Sequence, residues 1–123
     1  TSTNVDSASN SSDGEISEKF RVASNGDLTA TDTSIASNSD QRLKSDIKTI
    51  DNALDKVCEM RGVTYTKDNE LGSGVIAQEI EKVAPELVLD GEYKSVAYGN
   101  TVGYLIEAIK ELKSEIEELK KDK

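Results

Sequence analysis

The spacing of apolar residues along this chain changes character near residue 40. Ahead of that point Phe20 and Val22 alternate with polar residues, Asn25-Gly26 interrupts, and Leu28 and Ala30 resume the alternation. Period-two alternation broken by Asn-Gly predicts a strand, a tight turn and a second strand. A lone hairpin is not stable in water, so this one needs partners, either further chain or other copies. Beyond the junction, Ile47, Ile50, Leu54, Val57 and Cys58 recur at helical spacing behind Ser45, a residue suited to capping. They predict a helix from about Asp46 to Met60, with Cys58 as a buried structural thiol. Val63 and Tyr65 alternate as a strand, and DNELGSG reads as a loop. GVIAQEIEKVAPELV holds a helix from about Ala77 to Val83, limited by Pro85, which pushes the preceding residue out of helical geometry. LVLDGEYKSVAY reads as strand, Asp90-Gly91 turn, strand.

The last element is the longest, about 98–122. Val102, Leu105, Ile109, Leu112, Ile116 and Leu119 form an unbroken heptad seam, with β-branched residues at a and Leu at d. Glu115 at g and Lys120 at the following e are placed to bridge between chains. The alternative is one amphipathic helix packed on its own domain. Strict spacing and a polar far face favour the coiled coil, and the a/d rule taken alone favours two parallel strands.

Composition narrows the picture. The first fourteen residues, TSTNVDSASNSSDG, are low in complexity and read as a flexible connector. Hydrophobic residues make up 35% of the 123, and the deficit sits mainly in the first forty. The remainder can build only a modest core, which association with other copies would complete. A net charge of −9 argues against nucleic acid, and no Lys/Arg cluster suits anionic lipid. No apolar run is long enough to span a bilayer, and no signal-peptide pattern opens the chain. A single cysteine, Cys58, excludes an internal disulfide, and the absence of histidine excludes a zinc site of the usual kind. No metal or cofactor is expected.

Three motifs fail on context. Gly72-Ser73-Gly74-Val75-Ile76-Ala77 fits a dinucleotide fingerprint, but a polar stretch, TKDNEL, precedes it where a buried strand belongs. Ser45-Asp46-Ile47-Lys48 fits S-x-x-K without the companion motifs of penicillin-recognising enzymes. Glu79 and Glu81 read as a solvated helix face, and Tyr65, Tyr93, Tyr98 and Tyr104 as structural.

The junction SNSDQRLK carries candidate chemistry. Ser39 offers a hydroxyl and Lys44 an amine. A lysine acts as general base only when neutral, which burial or a nearby cation such as Arg42 promotes. Arg42 or backbone N–H groups are also placed to steady an oxyanion. Residues five apart share neither a strand face nor a helix face. Either a turn through Asp40–Leu43 folds Ser39 and Lys44 together, or the lysine comes from a neighbouring chain.

Ser39-Asp40-Gln41-Arg42-Leu43-Lys44, then GVIAQEIEKVAPELV, then YGNTVGYLIEAIKELK, resemble in order the C-terminal intramolecular chaperone of phage tailspikes, tail fibres and neck appendages. This is the self-cleaving S74 peptidase family, and the resemblance covers about residues 39–123. It implies an α+β fold: N-terminal β segments of a trimeric β-helix stalk over 1–38, a small mixed α/β chaperone domain over 39–123, and a C-terminal helix in a trimeric coiled coil. It implies a homotrimer that registers its own upstream β-helix and then cuts itself off, with Ser39 as nucleophile, Lys44 as base, Asp40 and Arg42 in support, and Asn38–Ser39 as the scissile bond. The ester formed on Ser39 would then be resolved by water. Assembly would take place in the host bacterial cytoplasm, with the upstream part ending in the virion tail. Three further readings differ in class or mechanism: a trimeric fibre tip that never cuts, a coiled-coil adhesin terminus that binds a receptor, and cleavage by backbone strain with Lys44 merely assisting.

Overall fold

Two antiparallel strands, β1 (Phe20–Val22) and β2 (Leu28–Ala30), form where the alternation predicts them, in the register Phe20↔Ala30 and Val22↔Leu28. They belong to a computed structural model that describes residues 19–122 apart from residue 33; the connector expected over 1–14 lies outside the described residues. Gly26 takes φ +97°, the left-handed region that glycine enters without a steric penalty. Asn25 Oδ1 accepts the backbone N–H of Asp27 at 3.0 Å, so the turn is closed by its own side chain. Phe20, Val22 and Leu28 are each about half exposed or more, as expected of a hairpin whose face is not covered.

Chain contacts divide the molecule into a unit at 1–45 and a second at 46–123. The second is mixed α+β, built from two small hairpins and three helices. Helix α1 spans Ala53–Glu59, not the stretch from Asp46 that the periodicity predicts. Asp46 and Asn52 both adopt left-handed backbone, at φ 54° and 55°, which a helix cannot accommodate. Ser45 therefore caps nothing. Ile47 is 67% exposed, while Ile50 packs against the core from irregular backbone. Cys58 is exposed, contrary to the buried position expected; the buried residue of α1 is Ala53.

The first turn of α1 is satisfied from a distance. Asn52 makes no capping hydrogen bond; the Glu111 carboxylate instead accepts the backbone N–H groups of Ala53, at 2.9 Å, and Leu54, at 3.1 Å. These are donors that no intrahelical partner can reach, and a negative charge there also complements the helix dipole.

Strand β3 (Val63–Lys67) pairs antiparallel with β4 (Glu70–Gly74). The sequence reads the second of these as loop. Asp68 and Asn69 join them with positive φ at both positions, 52° and 67°, the signature of a type I′ turn. The two glycines of the apparent nucleotide motif serve aromatic packing. A Cβ on Gly72 would stand 2.6 Å from Tyr65 Cε1, and Gly74 at φ +155° leaves room for the Tyr98 hydroxyl, which accepts the Val75 N–H. Helix α2 (Ala77–Val83) matches its predicted span. A single 3₁₀ turn begins at Pro85, and β5 (Val88–Leu89) pairs with β6 (Ser95–Val96).

Ile80, Ala84, Leu87 and Tyr104 form the core, with Ile50, Val57 and Val75 packed around it. The Tyr104 hydroxyl donates to the Glu86 carboxylate. Burial, reinforced by that carboxylate, pushes the phenol up to about 12, so it remains protonated and keeps donating. Lys56 Nζ sits 5.9 Å from the centre of the same ring, within cation–π range.

Helix α3 (Thr101–Lys121) closes the unit. Tyr104, Ala108 and Glu111 lie on its inner side, at positions g and c of the heptad count. Val102, Leu105, Ile109, Leu112, Ile116 and Leu119 are all 45% exposed or more. The domain therefore packs on one face of α3 and leaves the heptad seam uncovered. Glu111→Ala removes the side-chain acceptor at the start of α1 and is expected to destabilise the fold by about 1–3 kcal/mol. The exposed Glu118→Ala should stay within about 0.5 kcal/mol. Urea denaturation midpoints of the two variants, taken at unchanged slope, check this.

Candidate functional site

The junction folds as one 3₁₀ turn over Gln41–Leu43, set up by the residue in front of it. Asp40 is extended, at φ −66° and ψ 137°, the usual geometry of a residue about to cap. Its Oδ1 accepts the backbone N–H of Arg42 at 2.8 Å. The same carboxylate grips the Arg42 guanidinium in a fork, Nε to Oδ1 at 3.0 Å and Nη2 to Oδ2 at 2.9 Å. Lys44 leaves the turn extended, with its own N–H bonded to the Gln41 carbonyl at 3.1 Å.

This geometry folds the chain back on itself. Lys44 Nζ lies 2.5 Å from Ser39 Oγ. Of the two routes open from the sequence, the local turn is the one found: serine and lysine meet within a single chain. Both Ser39 and Lys44 are exposed.

Arg42 is not turned on Lys44 as an unpaired cation. Its Nε and Nη2 are committed to Asp40, and that hydrogen bond raises the guanidinium above its ordinary value while holding the Asp40 carboxyl below the usual 3.8. The Arg42 side chain as a whole is 88% exposed. Ser39, Asp40 and Arg42 line an open concavity together with Asn38, whose carbonyl forms the bond in front of Ser39.

Elsewhere Glu79 receives Arg61 through two hydrogen bonds, at 2.7 and 3.2 Å, and Glu81 pairs with Lys94 at 3.3 Å. Both are surface pairs. Among the described residues no group of His, Cys, Asp and Glu gathers to hold a metal ion, and no helix is long and apolar enough to cross a membrane. Glu111 is the residue that sequence reasoning missed. Its target lies 58 residues away, and nothing local marks it as a cap.

The Asp40 clamp has a defined pH response. Its folded-state value lies below the ordinary 3.8, so the clamp is fully present above that pH and is lost only as the pH falls beneath it. NMR titration following the Asp40 carboxyl carbon and the Arg42 amide should show both moving together below 3.8. A carboxyl titrating at its ordinary value, with the Arg42 amide unmoved, would mean that the turn is not held this way.

Comparison with known proteins gives this geometry a context. The model of the Peptidase S74 family, described as the chaperone of endosialidase, matches residues 39–89, starting at the serine of the turn. The chain is similar to the long tail fiber protein Gp37 of Enterobacteria phage K3, 37% identical over 94 residues, which is 66% of this chain and 8% of the relative. It is similar to Gp37 of Enterobacteria phage M1, 38% identical over 96 residues, 67% of this chain and 38% of the relative. To Gp37 of Salmonella phage S16 it is 39% identical over 98 residues, 68% of this chain and 13% of the relative. The chain thus spans well under half the length of the relatives it matches. Residues 39–89 thus match the chaperone-of-endosialidase family, which the ordered motifs resemble, and the relatives to which the chain is similar are phage tail fibre proteins.

Proposed function

We propose that this chain is the trimerising end of a phage tail fibre or spike, which registers three copies of an upstream β-structured stalk and then cuts itself at Asn38–Ser39. The observation that carries the cutting step is the 2.5 Å contact between Lys44 Nζ and Ser39 Oγ, built by the Asp40 turn. The neutral amine takes the Ser39 hydroxyl proton as Oγ attacks the Asn38 carbonyl carbon. The tetrahedral oxyanion collapses with the Ser39 nitrogen as leaving group, and Lys44 returns the proton to that nitrogen. Asn38 is then held by an ester to Ser39 Oγ. Opening of that ester separates 1–38 from 39–123.

Exposure of the pair in a single chain gives this step its timing. Both side chains are exposed in the single chain, and covering them with neighbouring chains would disfavour a charged amine. Cleavage then follows assembly and does not precede it.

The uncovered seam of α3 supports association. Its six a and d residues are all exposed, while the g/c face already holds the domain. Ile106, at e, is 50% exposed and widens the apolar stripe at the N-terminal end of the seam. A helix in a three-stranded bundle meets two neighbours and buries a wider stripe than one in a pair. That width offsets the two-stranded preference of the a/d residues. Glu115 and Lys120 have no ion-pair partner among the described residues, which leaves them for interchain bridges.

A permanent, non-cutting trimeric tip is the second reading, favoured by the same seam and silent on the Ser39–Lys44 contact. Two variants separate them. Ile109→Asp with Ile116→Asp should abolish association in sedimentation equilibrium and cleavage together. Lys44→Ala should still sediment as a trimer but cut roughly 100- to 10,000-fold more slowly in a gel time course. A Lys44→Ala trimer that cuts at the wild-type rate rules out the dyad. Slowing by only a few fold favours backbone strain as the driving force.

A further inference from the structure

Asn38 contributes more than its carbonyl. Its side chain is exposed, lines the same concavity as Ser39 and Asp40, and makes no hydrogen bond with another described residue. Once Ser39 Oγ carries the Asn38 acyl group, that ester needs a nucleophile. Either water or a side chain would draw on the same base, so the choice rests on which nucleophile is already in place. The chain has no histidine. Both oxygens of the Asp40 carboxylate are committed to Arg42, and the lowered value of that carboxyl makes it a weaker proton acceptor still. Lys44 is the one base in contact with the reacting oxygen.

The Asn38 carboxamide, by contrast, is tethered through Cβ and Cα to the carbonyl under attack. It needs no positioning beyond rotation about its own side-chain bonds, an advantage of the kind that gives intramolecular nucleophiles effective concentrations of about 10⁵ M and upward. We propose, resting on the cleavage reading above, that Asn38 is a third catalytic residue whose carboxamide nitrogen opens the ester and leaves the upstream fragment with a C-terminal succinimide.

The step balances without a co-reactant. Asn38 Nδ2 forms a bond to its own α-carbonyl carbon while the bond from that carbon to Ser39 Oγ breaks. Lys44 Nζ takes a proton from Nδ2 and delivers it to Ser39 Oγ, its hydrogen-bonded neighbour, which leaves as the restored hydroxyl. The downstream fragment departs with the free amine of Ser39. Water enters only afterwards, opening the imide at either carbonyl to give C-terminal asparagine or its isomer with a side-chain carboxylate and an α-amide.

The test is intact mass and C-terminal peptide analysis of the upstream fragment from the full chain, made as wild type, Asn38→Ala, Asn38→Gln and Ser39→Ala. The expected wild-type fragment is lighter by one water than the free acid, or is a mixture of the two C-terminal isomers. Asn38→Ala, which alters an exposed side chain, should accumulate a full-length species that hydroxylamine splits, because the ester forms but is not opened. Asn38→Gln keeps the amide one methylene further out and should accumulate the same species. A wild-type fragment ending only in asparagine, with Asn38→Ala released as fast as wild type, overturns the imide step and leaves the Ser39–Lys44 reading standing. Uncut wild type overturns the cleavage reading itself, as does a Ser39→Ala chain that cuts with an imide end.

Discussion

One carboxylate holds the candidate site together. Asp40 accepts the Arg42 backbone N–H and both arms of a guanidinium fork, and it thereby fixes the backbone of a single 3₁₀ turn. Without that turn, residues 39 and 44 lie on different sides of any regular element. With it, an amine and a hydroxyl are brought into contact by three hydrogen bonds that contain neither of them. The arrangement separates geometry from chemistry: Asp40 and Arg42 build the turn, and Ser39 and Lys44 occupy its ends. Arg42 is used as a structural fork and not as a free charge, which follows from the preference of guanidinium for bidentate carboxylate pairing.

Helix α3 solves a related problem on a larger scale. A unit with so few fully buried residues cannot give its longest helix entirely to its own core, and it does not try. Tyr104 and Ala108 are buried on one face, and Glu111 on the same face reaches the start of α1. The a/d seam, on a neighbouring face, carries six aliphatic side chains and remains open. One helix therefore serves as a core element on one face and leaves an apolar seam uncovered on another. The Glu111 contact ties α3 to α1, since any shift of α3 along its axis would uncap α1.

Much of this was legible from residue order. The span of α2 followed from Pro85 and the helical spacing before it, the first hairpin from Asn25-Gly26, and the long last helix from the 3-4 spacing of Val, Ile and Leu. The contact between Ser39 and Lys44 was legible as one of two routes, and the structure contains the local one. What escaped was set by distant or exceptional geometry. Strand β4, ELGSG, has no β-branched residue and two glycines, and it is a strand because β3 pairs with it across a type I′ turn. Helix α1 begins late because Asp46 and Asn52 take left-handed backbone and because its cap comes from Glu111. Periodicity sees neither, and Cys58, expected to be buried, is exposed.

The central claim, that the Ser39–Lys44 turn cuts the bond in front of it, is tested most directly by N-terminal sequencing of the purified full chain beside its Ser39→Ala variant. The account predicts a wild-type product whose sequence starts at Ser39 with Asp40-Gln41-Arg42 following, and a variant that stays whole at the same oligomeric state. Wild type and variant both remaining whole as folded oligomers would contradict it, and the seam of α3 would then define a permanent fibre tip.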